Sequence, residues 1–154
     1  MFKKIVIALD GSECAKQALE VAIQLAGEGA ELGICSIVDP IVIAGTAPPS
    51  PAMDLMIRDM HGQARELVSE AVERARAAGI RADGRECSGV AAYEILKYAE
   101  HFKADLIVMG THGRTGIRHL LMGSVAEVVL RQAPVPVLIV RERLAASKKA
   151  NAAK

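Results

Sequence analysis

The sequence predicts an α/β fold, a single open five-stranded parallel sheet with helices on both faces. Five short apolar segments alternate with four amphipathic helical patterns along the 154 residues, the order typical of parallel strands joined by right-handed crossovers. The segments Ile5–Leu9 and Asp105–Met109 are continuously apolar rather than alternating, as expected for strands that are covered on both faces. A composition with 51% hydrophobic and 24% charged residues excludes a disordered chain.

The first strand ends at the tripeptide Asp10-Gly11-Ser12, and Ser12 is the predicted N-cap of the first helix. Its hydroxyl can accept a hydrogen bond from a backbone amide of the first turn. Apolar side chains then recur at spacings of three and four, which predicts one core-facing side. That side comprises Ala15, Leu19, Ala22 and Ala26, and Gly27 or Gly29 can end the helix.

The second strand runs from about Leu32 to Val38 and ends before Asp39-Pro40. Three prolines in the following dozen residues, Pro48, Pro49 and Pro51, exclude regular helix or strand there and predict a loop. A long helix follows and ends at Gly79. Its predicted core stripe comprises Met53, Met56, Met60, Ala64, Leu67, Ala71 and Ala75. The three methionines could alternatively line a ligand pocket from above.

In the second half of the chain, the weakly apolar third strand contains Gly84, which favours an edge position. Apolar residues at helical spacing predict one helix before the fourth strand and another after it, which ends near Gln132. The stretches are a strand at Arg81–Cys87, a helix with Ala92, Ile95, Leu96 and Ala99 in its core, a strand at Asp105–Met109, a helix marked by Val125, Val128 and Val129, and a strand at Val135–Val140. We expect one domain over residues 1–141 and a flexible basic tail over 142–154.

Charge and cysteine usage exclude several classes of protein. A net charge of +1 with scattered Lys and Arg gives no reason to expect a nucleic-acid partner. Cys14, Cys35 and Cys87 lie far apart without metal-ligand spacing, a pattern typical of a reducing compartment. The N-terminal apolar run of about five residues is too short for a signal peptide, and a membrane span needs about 18. We therefore expect a cytoplasmic protein with no membrane partner.

A glycine-punctuated turn follows the fourth strand. Ligands of open parallel sheets bind beyond the carboxyl ends of the strands, where this chain places Gly110, Gly113 and then Gly123-Ser124 at the start of a helix. Glycines let the backbone approach an anion and adopt positive φ, and a helix N-terminus supplies unpaired amides. The spacing favours a phosphate site, although simple turn and capping residues would give the same pattern. Neither a Walker motif nor a dinucleotide fingerprint is present.

The stretch from Met109 to Val140, MGTHGRTGIRHLLMGSVAEVVLRQAPVPVLIV, resembles the C-terminal signature of the universal stress protein family. Gly110, two residues, Gly113, nine residues and Gly123-Ser124 are similar to the G-x2-G-x9-G-S/T pattern of its ATP-binding branch. The opening KKIVIALDGSECAKQAL also resembles the first strand and helix of that family. The likeness extends to about Arg141 and implies a Rossmann-like sheet of strand order 3-2-1-4-5.

The resemblance implies that ATP, or ADP or AMP, binds with Mg²⁺ or Mn²⁺ accompanying the phosphates. The Asp10 carboxylate would accept from the ribose or approach a phosphate-bound Mg²⁺, or it serves only as a turn residue. Residue 8 is Ala where some nucleotide-binding relatives carry Pro. The implied nucleotide-binding residues are Ala8, Leu9, Asp10, Ile37, Val38, Met109, Gly110, Thr111, Gly113, Arg114, Gly123, Ser124 and Val125.

The resemblance also implies a homodimer, formed by antiparallel pairing of Val137–Val140 with a second copy. We find no catalytic constellation that would position an attacking water and stabilise a transferring phosphoryl group. The first hypothesis is therefore an ATP-binding regulatory module of the stress response, with at most a weak ATPase activity. The alternatives are a slow ATPase or nucleotidyl-transfer enzyme, and a nucleotide-free structural or chaperone-like dimer.

Overall fold

The structure is a computed structural model that describes residues 2–40, 50–111 and 122–141. Within these residues the predicted strands and helices are present, and the strand ends differ from the prediction by no more than two residues. The elements are β1 (Lys4–Leu9), α1 (Glu13–Leu25), β2 (Glu31–Val38), α2 (Pro51–Ala77), β3 (Arg81–Ser88), α3 (Ala91–Phe102), β4 (Leu106–Gly110), α4 (Ser124–Gln132) and β5 (Val137–Val140). The predicted tail, residues 142–154, lies outside the described residues.

The five strands form one parallel sheet of order β3-β2-β1-β4-β5, which confirms the implied order. β1 is central, and its residues Ile5, Val6 and Ile7 are fully buried. The chain leaves β1 for β2 on one side and later returns to β4 on the other. Because Ala8 lies opposite Met109 in the β1–β4 register, the carboxyl ends of these two strands meet at the switch point of the sheet.

The two faces of the sheet bury separate cores, because successive side chains of a strand point in opposite directions. On one face, α1 and α2 cover Ile7 and Ile34 together with their neighbours. On the other face, α3 and α4 cover Val6, Cys35 and Ile107. The prediction of helices on both faces is therefore confirmed, and the first turns of α1, α3 and α4 lie at the carboxyl edge of the sheet.

Two predictions for the region around α2 were wrong. Pro51 is helical, because it occupies the first position of α2, where a missing amide proton costs nothing; Ser50 caps the helix by accepting from the Met53 amide at 3.3 Å. Met56 is 55% exposed, and Met53 and Met60 are only half-buried. The 27-residue helix is about 40 Å long, longer than the strands beneath it, so its first turns have little sheet to cover.

β3 lies at one edge of the sheet, as predicted, and Gly84 lets α2 pack directly on it. A Cβ atom at Gly84 would clash with Val68 and would lie 2.8 Å from Cγ2 of Val72. The buried residues of α2 are Ala64, Val68, Ala71, Val72 and Ala75. Gly84 is thus required by the approach of a helix.

Candidate functional site

A cavity of about 110 Å³ lies at the switch point, between the ends of β1 and β4 and the first turns of three helices. Most residues that the sequence implicated are brought together there, although they come from four separate parts of the chain. Those that line it are Ala8, Leu9, Asp10, Ile37, Met109, Gly110, Thr111, Gly123 and Val125. Val38 and Ser124 do not line this cavity, and Gly113 and Arg114 lie outside the described residues.

Sequence reasoning missed four residues of the cavity wall, namely Ala15, Ala91, Ile95 and Ala126. Each lies in the first or second turn of a helix that begins at the carboxyl edge of the sheet. Ala91 and Ile95 are four residues apart and therefore share one face of α3. Their place near the start of helices that follow parallel strands puts them at this edge, but the sequence does not tell whether such a residue lines a cavity or packs against a neighbour.

A second cavity of about 400 Å³ adjoins the first on the α2 side of the sheet and shares Asp10 and Ile37 with it. Val38 lines this second cavity, and so does Met60, one of the methionines proposed to line a pocket. Its charged lining residues are all acidic: Asp10, Asp39, Glu66 and Glu70. Asp10 therefore lies between the two cavities.

The Asp10 carboxylate serves as a turn residue, one of the two roles that the sequence left open. Its Oδ1 accepts from the Ser12 amide at 2.9 Å, which stabilises the turn. Ser12 in turn caps α1 by accepting from the Ala15 amide at 3.2 Å, as predicted. An ionised carboxylate has about four acceptor sites, so the turn bond leaves capacity for a ligand. Among the residues that line the first cavity, Asp10 is the charged one.

Gly110 and Gly123 are not needed for positive φ, contrary to the sequence-based expectation, since neither is among the positive-φ glycines. A Cβ atom at Gly110 would lie 2.7 Å from Cβ of Cys14 and 3.1 Å from the Ala15 nitrogen. Gly110 is therefore explained by the close packing of α1 on the end of β4. Gly123 has an extended conformation, φ −77° and ψ 157°, that any residue can adopt.

The N-terminus of α4 opens at the cavity. Gly123 is its N-cap, and among the described residues no side chain caps the first turn. The Gly123 amide donates to the Thr111 carbonyl at 2.7 Å, and Val125 and Ala126, in the first turn, line the cavity. Uncapped first-turn amides carry a partial positive charge and are a general binding site for anions.

Thiol and metal chemistry find little support in the part of the chain that the structure describes. Burial raises the pKa of Cys35, and burial together with Glu94 raises the pKa of Cys87. Both side chains therefore remain thiols at neutral pH. No group of three or more His, Cys, Asp or Glu side chains among the described residues could hold a metal ion.

Comparison with known proteins decides the family. The model of the universal stress protein family matches residues 1–141. The chain belongs to this family. Universal stress protein MJ0531 of Methanocaldococcus jannaschii is 38% identical over 143 residues, which cover 92% of this chain and 84% of the relative.

None of the described helices is both long enough and apolar enough to span a lipid bilayer.

Two solved universal stress proteins share the fold. The structure of MJ0577, also from M. jannaschii, superposes with a TM-score of 0.83 at 26% identity and covers 94% of this chain and 99% of its own. A universal stress protein solved in complex with cAMP superposes with a TM-score of 0.67 at 31% identity, covering 90% of this chain and 97% of its own. The Rossmann-like five-stranded sheet is thus that of the family.

Proposed function

We propose that this universal stress protein binds an adenine nucleotide, ATP in the first place, and acts as a cytoplasmic regulatory binding module of the stress response. The observation that carries the proposal is the cavity at the switch point, which has an apolar wall on one side and the uncapped N-terminus of α4 on the other. A nucleotide has the same division into an apolar base and an anionic phosphate chain.

The volume of the first cavity is closer to what the base and ribose need than to what a whole nucleotide needs. Sites that enclose complete small ligands usually measure about 300–1,000 Å³, and this cavity measures about 110 Å³. Its wall is mostly aliphatic, and Asp10 can accept from a ribose hydroxyl. The phosphates would then extend towards Gly123 and the first turn of α4. The relative solved with cAMP supports an adenine-containing ligand.

We propose that Mg²⁺ or Mn²⁺ binds with the phosphates. The charged side chain in the described wall of the first cavity is acidic, and so are those of the adjoining cavity. A polyphosphate next to these carboxylates would be repelled unless a cation lay between them. The phosphate oxygens would be its main ligands, with Asp10 within the neighbouring wall.

We propose further that two copies pair through β5. Residues Val137–Val140 are apolar and partly exposed, and β5 lies at the end of the sheet order. An apolar strand at a sheet edge associates with other chains unless it is covered. Pairing with β5 of a second copy would extend the sheet across the dimer and would cover the β5 edge of each copy.

The nucleotide site is tested by isothermal titration of the wild type and Gly123→Val with Mg-ATP. The backbone at Gly123 tolerates any residue, so the variant should fold while its branched side chain occupies the anion-facing end of the cavity. We expect the affinity for ATP to fall about tenfold or more, as for the loss of one or two hydrogen bonds to a charged group.

Gly62→Ala is the matched control, because a Cβ atom there meets nothing within 4 Å. Its affinity for ATP should equal that of the wild type. A wild type that binds neither ATP, ADP nor AMP at about millimolar concentration, with Mg²⁺ present, would overturn the proposed function. Equal affinities of the wild type and Gly123→Val would overturn the placement of the phosphates.

A further inference from the structure

Thr111, directly after β4, connects three elements at the edge of the cavity. It is 3% exposed, and among the described residues Thr111 and Ser36 are the buried polar side chains. Its amide donates to the Val140 carbonyl of β5 at 2.9 Å, and its carbonyl accepts from the Gly123 amide at 2.7 Å. The position of the N-cap of α4 therefore depends on where Thr111 is held.

The side chain of Thr111 is held from the opposite direction by α1. Its Oγ1 lies 3.6 Å from Sγ of Cys14, within reach of a weak hydrogen bond to sulfur. Cys14 is itself 5% exposed, in the first turn of α1. Since Gly110 lets Cβ of Cys14 approach the end of β4 closely, the thiol and the hydroxyl are packed against each other.

We propose that Thr111 is a positioning residue for the nucleotide site and that Cys14 is its support. Cys14 fixes the Thr111 side chain, the Thr111 carbonyl fixes Gly123, and Gly123 sets the direction of the first-turn amides of α4. The inference rests on the proposed nucleotide binding. It gives Cys14, which does not line the cavity, an indirect role in binding through Thr111. The alternative is that the Thr111 hydroxyl contacts the ligand directly.

Positioning of amides affects the phosphates more than the base. The apolar wall that would receive the base comes from other residues, such as Ile37 and Ile95. A displaced first turn of α4 should therefore weaken ATP binding and leave adenosine binding nearly unchanged. A merely structural role of Thr111 would lower both affinities together, or would lower the unfolding midpoint alone. The ratio of the ATP affinity to the adenosine affinity separates these cases.

The experiment measures the dissociation constants of Mg-ATP and of adenosine for the wild type, Thr111→Val, Thr111→Ser, Cys14→Ala and the double variant Cys14→Ala/Thr111→Val. For Thr111→Val and Cys14→Ala we expect ATP affinity to fall about three- to tenfold, the worth of one hydrogen bond, with adenosine affinity changed less than about twofold. The double variant should bind ATP with the same affinity as Thr111→Val, because both substitutions break the same contact between Cys14 and Thr111. Thr111→Ser should recover affinity relative to Thr111→Val.

Cys87→Ala is the control for a cysteine substitution, since Cys87 is half-buried in β3 and does not line the cavity. Wild-type protein that binds neither ATP nor adenosine would overturn the proposed function itself. If the wild type binds both but Cys14→Ala binds ATP as the wild type does, only the positioning role is overturned, and a loss confined to Thr111→Val would indicate direct contact. Should Thr111→Val fail to fold, the ATP and adenosine affinities of Cys14→Ala still decide whether the positioning role holds.

Discussion

At the scale of single residues, the buried tyrosine of α3 carries a polar atom that burial removes from water. Tyr98 is 6% exposed, and its hydroxyl has no hydrogen-bond partner among the described residues. Its ring stacks on Phe102 at a centroid distance of 6.1 Å, so packing holds the hydroxyl in place. Burial raises the pKa of Tyr98, and the nearby Cys35 adds to this effect. Such a group lowers stability, because water hydrogen-bonds it in the unfolded chain.

Replacing Tyr98 by Phe should therefore not destabilise the protein at pH 7, and it should raise the free energy of unfolding by about 1 kcal/mol. In the wild type, the folded state keeps the phenol proton above pH 10, where the unfolded chain loses it. The folded state then binds more protons, so stability falls as the pH rises, by about 1.4 kcal/mol per pH unit for this group. Tyr98→Phe should remove this contribution. Urea unfolding between pH 7 and 11 measures both effects.

Tyr93→Phe is the matched control on the same helix. Tyr93 is 64% exposed, so its hydroxyl reaches water in both states, and the change should leave the stability at pH 7 unaltered. A loss of more than about 1 kcal/mol in Tyr98→Phe at pH 7 would show that the hydroxyl has a partner that stabilises the fold.

At the scale of elements, the contact between α2 and β3 depends on a glycine in a strand, a position where glycine ordinarily weakens the sheet. The branched side chains of Val68 and Val72 occupy the space where a Cβ atom at Gly84 would lie. Gly62, inside α2, is the opposite case, because the space beside it is open. The same substitution should thus have opposite effects at the two glycines.

Gly84→Ala should lower the free energy of unfolding by about 1–3 kcal/mol, because the added methyl overpacks the contact between α2 and β3. Gly62→Ala should raise it by about 0.5–1 kcal/mol, because alanine is the better helix former and meets no neighbour. Chemical unfolding of both variants under one set of conditions gives the comparison. Changes of the same sign would contradict the close approach of α2 to β3.

At the scale of the whole molecule, the orientation of β5 indicates which backbone groups are available to a second copy. The Pro136 carbonyl accepts from the Ile107 amide of β4, and the Val140 carbonyl accepts from the Thr111 amide directly after β4, so both carbonyls point towards the sheet. Because the direction of backbone groups alternates along a strand, the amides and carbonyls of Val137 and Ile139 point away from it. An antiparallel β5–β5 contact would use these outward groups.

Ile139→Pro should raise the dimer dissociation constant roughly tenfold or more, because each copy loses one outward amide at the symmetric contact. Ile139→Ala removes the side chain but keeps the amide, and should stay dimeric under the same conditions. Sedimentation over a range of protein concentrations measures both. A wild type that is monomeric at micromolar concentration would reject the dimer, and equal dissociation constants for the two variants would place the contact elsewhere.

The candidate site was predictable from the sequence to the extent that it lies in short segments directly after strands. Asp10, Gly110 and Gly123 belong to such segments, and they line one cavity. The wall contributed by Ala91 and Ile95 was not predictable in the same way, because nothing in an apolar helical face tells whether it packs on another residue or leaves a gap. The reason for Gly110 was also misread, since its close neighbour Cys14 is 96 positions away.

The sequence by itself determined the order of strands and helices, the parallel sheet and membership of the family, because these depend on local periodicity and on motifs within continuous stretches. Only the tertiary structure decided which side chains meet at the switch point, why Gly84 and Gly110 lack side chains, and how Thr111 connects α1, β5 and α4. These contacts join residues far apart in the chain, and their distances follow from how the helices pack on the sheet, which no one-dimensional pattern records.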